Sequence, residues 1–341
     1  MQKINKVEVK PYSDEYVKLH EEFSKKFWPN KKRRRIEIYN RWKFRGPDKG
    51  NVDGLLLALY DNKIVGQIGL LPVKLKSGKN IYNAQWACDL MVDLNYRSMG
   101  IGSKLFETAM LRDNIITLGN NPSAKAGKVM EKIGFKHLKS GRTMIFPLKS
   151  EQVLKWAVPE KVRGIIPMIS KIVQPYFSLK VNKFKKRNTD FETCEWEEVS
   201  DLINERQNKL SYPQILHDKK FLDWRANGLE NFSEKIKAIR SPDSAYALYS
   251  PFADYLDVYD WYCQSFDVLE KMFSAVILMA LKAKISMIQI VANNEEEETW
   301  LKKLGFIRTR SKERVLHFSK DKLIDNEEKF YFALFDTDRN L

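Results

Sequence analysis

Gly100 and Gly102 stand between an apolar run, Leu90-Met91-Val92, and an amphipathic run that begins at Ser103 and ends near Leu111. A strand, a glycine-bearing turn and a helix start are the parts of an anion site. Glycine lets backbone approach a ligand closely, and the free N–H groups at a helix N-terminus point at phosphate oxygens. Arg97 and Lys104 add positive charge at the same place. Two familiar phosphate motifs are excluded. The dinucleotide fingerprint Gly-x-Gly-x-x-Gly would need glycine at Leu105, and no Gly-Lys-Ser/Thr occurs here. Taken alone, the spacing also fits a tight turn that feeds a core helix. Asp89 is the carboxylate nearest the reactive end of the strand, where an acid is costly unless it has a partner or a task. It is a candidate general base or acceptor contact, or else a hydrogen-bonding partner for a neighbouring loop.

The stretch Tyr96-Arg97-Ser98-Met99-Gly100-Ile101-Gly102 resembles the acyl-CoA-binding segment of the GNAT acyltransferase superfamily, Arg/Gln-x-x-Gly-x-Gly/Ala after an apolar strand. A second linked likeness follows: a strand over 114–121 with a polar end, a helix from Ala124 to Lys132, and Ile133-Gly134-Phe135. The resemblance implies that Arg97, Ser98, Met99, Gly100, Ile101, Gly102 and Ser103 hold the pyrophosphate of acetyl-CoA or a related acyl-CoA. It implies that the backbone of Met91 and Val92 holds the pantetheine and acyl group. Asn120 and Asn121 become cofactor contacts or loop caps. Bases of this family often lie on the strand face that here carries Trp86 and Cys88, which sets Asp89 at odds with strand parity. The tyrosine that often precedes Gly-Phe by four positions is Met130 here. Methionine cannot donate a proton, so water, Tyr96 or the thiol's own acidity must serve the leaving group.

At 341 residues, 43% hydrophobic, the chain has room for two cores. No apolar stretch reaches transmembrane length, and the N-terminus has no apolar signal region, so a cytoplasmic protein is expected. Three scattered cysteines suit a reducing compartment, and neither they nor the four histidines show metal-ligand spacing. No metal is expected. The formal charge of +15 would attract phosphate-bearing ligands, anionic lipid or nucleic acid. The basic run at 31–35 carries no aromatic interleaving, which disfavours nucleic acid. A soluble, solvated surface accounts for much of the charge.

Alternation predicts a strand over 4–12, and helical spacing places Tyr16, Leu19, Phe23 and Phe27 on one face. Leu55–Tyr60 and Lys63–Leu71 read as a hairpin turning at Asp61-Asn62. Asn80–Trp86 and Cys88–Val92 follow as strand segments separated by a kink, and Thr143–Leu148 reads as the last strand of a first domain, 1–150. Residues 151–190, basic and broken by Pro159, Pro167 and Pro175, read as a crossover, with a membrane-surface segment as the alternative. The remainder, 191–341, looks like a faded copy. Asn293-Asn294 echoes Asn120-Asn121, and Leu304-Gly305-Phe306 echoes Ile133-Gly134-Phe135 at an offset of 305 − 134 = 171. Where the phosphate turn should lie, this half has Trp261 to Asp267 with no glycine and an added acid. The expected fold class is therefore α/β (α+β): two tandem GNAT-like domains, each a mixed, mostly antiparallel sheet flanked by helices, with one cofactor site.

The function expected from the resemblance is N-acyl transfer from CoA to a small-molecule primary amine. An amino sugar of a bacterial surface-polysaccharide pathway, possibly nucleotide-linked, is the acceptor it suggests. The alternatives are a Fem-type aminoacyl transferase using charged tRNA, and a non-catalytic acyl-CoA-binding or interaction protein.

Overall fold

In the computed structural model the hairpin forms at Asp61-Asn62, whose φ angles of 49° and 59° are both positive. That is the type I′ geometry whose twist matches the flanking strands. The structure describes residues 6–30, 36–48, 54–113, 115–185, 190–228, 235–241, 245–252, 254–309, 314–320, 324 and 329–337. The basic run at 31–35 lies outside them.

The first half runs β1 (Glu8–Pro11), α1 (Val17–Phe27), α2 (Glu37–Arg45), β2 (Leu55–Tyr60), β3 (Lys63–Ser77), β4 (Asn80–Val92), α3 (Ile101–Met110), β5 (Ile115–Asn120), α4 (Ala124–Lys132) and β6 (Lys136–Ser140). Then come β7 (Arg142–Pro147), α5 (Ser150–Ala157) and the long α6 (Ile166–Lys185). The second half runs β8 (Glu192–Cys194), α7 (Ser200–Lys209), β9 (Gln214–Ile215), α8 (Lys219–Asn227), β10 (Lys237–Ser241), β11 (Ala245–Phe252) and β12 (Tyr255–Tyr262). It ends with α9 (Phe266–Lys282), β13 (Met287–Ala292), α10 (Glu295–Leu304), β14 (Ile307–Arg308), β15 (Val315–Phe318) and β16 (Lys329–Phe330).

Two mixed sheets result. One has the order β1-β2-β3-β4-β5-β15-β6-β16, with β9 pairing an end of β3; the other is β14-β7-β13-β12-β11-β10-β8. In each, the parallel pair that precedes a helix crossover (β4 with β5, β12 with β13) sits among antiparallel neighbours. The fold is thus α/β with two GNAT-like units.

The strand over Thr143–Leu148 does not close the first sheet. It is β7, and it pairs with β13 and β14 of the second sheet, while β15 inserts between β5 and β6 of the first. The reason is local. One residue, Gly141, separates β6 from β7, too few for a hairpin, whose shortest common loop has two. At Gly141 the chain passes close against the other unit: an added Cβ would lie 2.6 Å from the Ala292 carbonyl oxygen. The halves therefore exchange equivalent strands, and neither sheet is complete without the other. Asparagines lock the exchange. Asn121 Oδ1 accepts from the Arg314 N–H at 3.0 Å, and Asn293 Oδ1 from the Phe332 N–H at 2.8 Å.

Beneath the second sheet α6 buries Phe177, Val181 and Phe184, so the segment is a packed crossover. Its prolines do not break it. Pro167 sits in the first turn, where its missing N–H has no intrahelical partner to lose, and Pro175 lies inside the helix at an exposed position.

Candidate acyl-CoA site

The hydrogen-bonded register of β4 and β5 runs from Asn83 opposite Ile115 to Ala87 opposite Gly119, and there it stops. Strand β4 continues to Val92 along β3 alone. Two devices open this gap. Asp89 takes a left-handed φ of 47° at a bulge in the β3 pairing, which re-aims the strand, and Asn121, at φ 44°, turns the chain away after β5. The kink expected at Ala87 is not there, where pairing with Leu70 is regular; the strand is continuous and its bulge comes at Asp89.

The gap leads into a cleft of about 450 Å³. Its walls come from β4 (Trp86 to Met91), from Gly119 and Asn120, from α4 with its preceding loop (Pro122, Ser123, Ala126, Met130), and from Phe106. Phe27, Trp28 and Thr337 complete it. Met130 is buried and held against Gly119, where any Cβ would meet its Cε at 2.3 Å. The position where the family often carries tyrosine thus faces the cleft with a thioether. Tyr96 packs on Tyr60, ring centroids 5.7 Å apart, and is not part of the lining.

At the near end, Asp93 caps a short 3-10 turn by accepting from the Asn95 N–H at 3.1 Å. The Lys26 ammonium at 2.8 Å, aided by that N–H, holds the Asp93 carboxyl below the usual range. Arg97 Nε donates to the Val92 carbonyl at 3.3 Å, leaning its guanidinium over the end of β4. Gly100 then adopts φ 71°, ψ 14°, the left-handed conformation that glycine takes freely. Lys104 N–H to Gly100 O, 3.1 Å, begins the α3 ladder, so the N–H groups of Ile101, Gly102 and Ser103 point out of the helix end. Lys104 Nζ donates to the Val7 carbonyl, fixing β1 beside the turn.

These residues fit an acyl-CoA. Among the described residues Gly102 has nothing within 4 Å of an added Cβ, so its missing side chain leaves open space in front of the helix start, not room for packing against them. Asn120 Oδ1 is buried in the cleft wall with no hydrogen-bond partner among the described residues. Asn121, by contrast, is committed to Arg314. The pair divides: one side chain faces the cleft and the other clamps β15.

Asp89 is tied to a residue that sequence reasoning missed. Lys43, fully buried on α2, donates from Nζ to Asp89 Oδ2 at 2.6 Å. Behind the bulge, Gln67 donates to the Asp89 carbonyl at 3.5 Å and accepts from His20 Nε2 at 2.9 Å. Burial drives the His20 pKa down to about 4. Its Nδ1 has no partner among the described residues, so protonation would bury an unsatisfied donor. A group with a depressed cationic pKa gains no proton on unfolding above 6.5, but between 6.5 and 4 the unfolded chain binds one that the folded chain refuses. His20 should therefore remove about 1.4 kcal/mol of stability per pH unit over that window. The measurement is urea denaturation from pH 7 to 4, wild type beside His20→Leu; the difference between the two curves should tilt in this window and nowhere above it. A pH-independent difference would show that His20 stays protonatable in the fold.

In the second half, the turn between β12 and α9 is short. Ser265 Oγ caps the α9 N-terminus by accepting from the Val268 N–H at 3.4 Å, and Asp267 lies in the first turn. That helix start is filled by its own serine and carries a negative charge where phosphate would come.

Residues 52–137 match the family profile described as acetyltransferase (GNAT) domain. Along 91% of its length the chain is similar to a GCN5-related N-acetyltransferase from Anabaena variabilis (13% identity, 72% of that chain, TM-score 0.60). It is likewise similar to one from Kribbella flavida over 91% (9% identity, 71% of that chain, TM-score 0.60). Over 95% it is similar to Saccharomyces cerevisiae N-myristoyltransferase with bound myristoyl-CoA (12% identity, 87% of that chain, TM-score 0.57). At these identities the likeness is one of fold. Among curated proteins no sequence match was found. No helix among the described residues is long and apolar enough to cross a membrane, and no group of three or more His, Cys, Asp or Glu among them could hold a metal ion.

Proposed function

We propose that this protein is an acyl-CoA-dependent N-acyltransferase, transferring an acetyl or related acyl group to a primary amine. The observation that carries the reading is the splay of β4 from β5 immediately before a left-handed glycine and an unfilled helix start. An acyl-CoA needs those two features together: a free strand edge for the pantetheine amides and N–H groups for the pyrophosphate. Ile101, Gly102 and Ser103 supply the N–H groups, Arg97 adds charge, and Ser98 and Met99 shape the turn. The edge of Cys88–Val92, with Met91 and Val92 nearest the turn, holds the pantetheine and presents the thioester carbonyl to backbone donors. Asn120 supplies a buried acceptor along the same path.

In direct transfer the neutral amine attacks the thioester carbon, a C–N bond forms as the C–S bond breaks, the amine's proton passes to water, and CoA leaves as the thiolate, which takes up a proton from solvent. A thiol is acidic enough to leave without a strong proton donor, which suits Met130 in place of tyrosine. We assign Asp89 the role of positioning residue: its ion pair with Lys43 holds the bulge that aims β4. Residues 1–150 hold the acyl donor, 151–190 join the halves, and 191–341, through Thr337 at the cleft, shape the acceptor side. The acceptor we favour is an amino sugar, free or nucleotide-linked, because +15 net charge favours a phosphorylated amine. The reading places the reaction in the cytoplasm. An intact phosphate turn speaks against the aminoacyl-tRNA alternative.

The test is release of free CoA thiol from acetyl-CoA with a panel of amines: a nucleoside-diphosphate amino sugar, a free amino sugar, a lysine peptide and a polyamine. Release should rise well above background with at least one amine and follow its concentration. Thiol release that no amine accelerates would leave an acyl-CoA-binding protein without transfer.

A further inference from the structure

Of the 13 large apolar side chains exposed among the described residues, six fall between 162 and 179: Val162, Ile165, Met168, Ile172, Tyr176 and Leu179. From Ile165 onward they recur every three or four residues, so on α6 they form a single stripe about 80° wide. The opposite side of the same helix buries Phe177 and packs into the second core through Val181 and Phe184. The stripe is not marginally exposed: Met168, Ile172, Tyr176 and Leu179 are 59% to 73% accessible.

Charge is arranged around the stripe. At 100° per residue, Lys171 lies on one side of it, Lys180 on the other, and Lys183 at its C-terminal end. Lys180 Nζ rests 4.7 Å from the Tyr176 ring centroid, its stem lying along the apolar face with the ammonium at the edge. From Lys161 to Lys186 the sequence holds no Asp or Glu, although the chain as a whole has 44. An apolar stripe with a tyrosine, rimmed by lysines and cleared of acids, matches the boundary between headgroups and acyl chains of an anionic bilayer. A helix-in-groove protein partner would have no need of an acid-free flank on both sides.

We propose that α6 docks this protein on the surface of an anionic membrane, lying in the interface with Met168, Ile172, Tyr176 and Leu179 inserted and Lys171, Lys180 and Lys183 at the phosphates. This surface is separate from the acyl-CoA cleft and stands whether or not the transferase reading does.

The experiment is flotation of the full chain with vesicles of phosphatidylcholine alone or mixed with phosphatidylglycerol, at low and high salt. Two variants accompany it: Met168→Ser/Ile172→Ser/Leu179→Ser, and Lys171→Glu/Lys180→Glu/Lys183→Glu. All six positions are exposed or on the rim, so both variants should keep the wild-type melting temperature. The protein should float with the anionic vesicles, weakly or not at all with the neutral ones, and lose binding as salt rises. Each reversed lysine should weaken partition by roughly fivefold or more, and the serine variant should stay in the lower fractions. The proposal is overturned if the wild type does not float with anionic vesicles, or if either variant floats as well as wild type. It is equally overturned if size exclusion without lipid shows a dimer that the serine variant abolishes, for then a second copy covers the stripe.

Discussion

Replacing Gly102 with Trp should weaken acetyl-CoA binding by at least about a hundredfold while leaving the fold intact. The fold tolerates the change because, among the described residues, nothing outside the helix's own backbone lies within 4 Å of an added Cβ, and Gly102 is already inside helix α3, where φ is negative. A side chain there fills the space in front of the Ile101, Gly102 and Ser103 N–H groups. Several charge-assisted hydrogen bonds to pyrophosphate would be lost together, each contributing about 1.5–3 kcal/mol, so two suffice for a hundredfold. Gly100→Trp is a poorer probe, since its φ of 71° would strain any other residue and confuse misfolding with lost binding. Calorimetric titration with acetyl-CoA, alongside the melting temperature of the free variant, separates the two. Unchanged affinity in a folded Gly102→Trp would place the acyl donor elsewhere.

The second large effect lies outside the cleft. Asp260 on β12 is wholly buried and receives Tyr331 OH at 2.6 Å and Tyr246 OH at 2.9 Å, with Arg206 Nη2 at 3.2 Å. His217, 3.6 Å from the same carboxylate, also bonds Asp336 through Nε2 at 2.6 Å. Burial alone would raise the Asp260 pKa, yet Arg206 and His217 hold it far below the usual carboxylate range. Asp260→Ala removes the carboxylate paired with the buried Arg206 guanidinium, whose Nε and Nη1 are already unpartnered among the described residues. The expected loss is about 3–5 kcal/mol, read as a lower urea midpoint. The exposed Lys209–Glu205 pair, whose side chains are 49% and 47% accessible, is the control, because solvent screens it and removing it should leave the urea midpoint nearly unchanged. Equal effects at the two sites would mean that the buried cluster is hydrated.

The cluster borders the core that both sheets share. Arg206 and His217 come from the start of the second half, Asp260 from its sheet, and Asp336 from the final segment, whose residues Phe332 to Phe335 are buried in that core. Strand β15 adds Val315 to it, while β7 packs Met144 and Phe146 into the second core.

What could be read in the sequence was local. The glycine turn before α3 lies within a few residues, so Gly100 and Gly102 announce it. The hairpin at Asp61-Asn62 and the helices at α1, α4 and α9 follow from spacing and turn chemistry in the same way. What could not be read depends on pairings across long separations. Lys43 meets Asp89 across 46 residues and Arg206 meets Asp260 across 54, and neither lysine nor arginine carries a local mark of its partner. The exchange of β7 for β15 did leave one trace, the single residue between Ser140 and Arg142, which no hairpin can use. Asn121 looked equivalent to Asn120 in sequence, but its left-handed φ turns its side chain to Arg314.

The most direct test of the central claim is a titration of the wild-type chain with acetyl-CoA, followed by melting temperature. A ligand that binds only the native state adds about 2.7 kcal/mol at a hundred times its Kd, enough for a clear upward shift that Gly102→Trp should lack. If neither acetyl-CoA nor any longer acyl-CoA raises the melting temperature, the splayed strand and open helix start are not an acyl-CoA site.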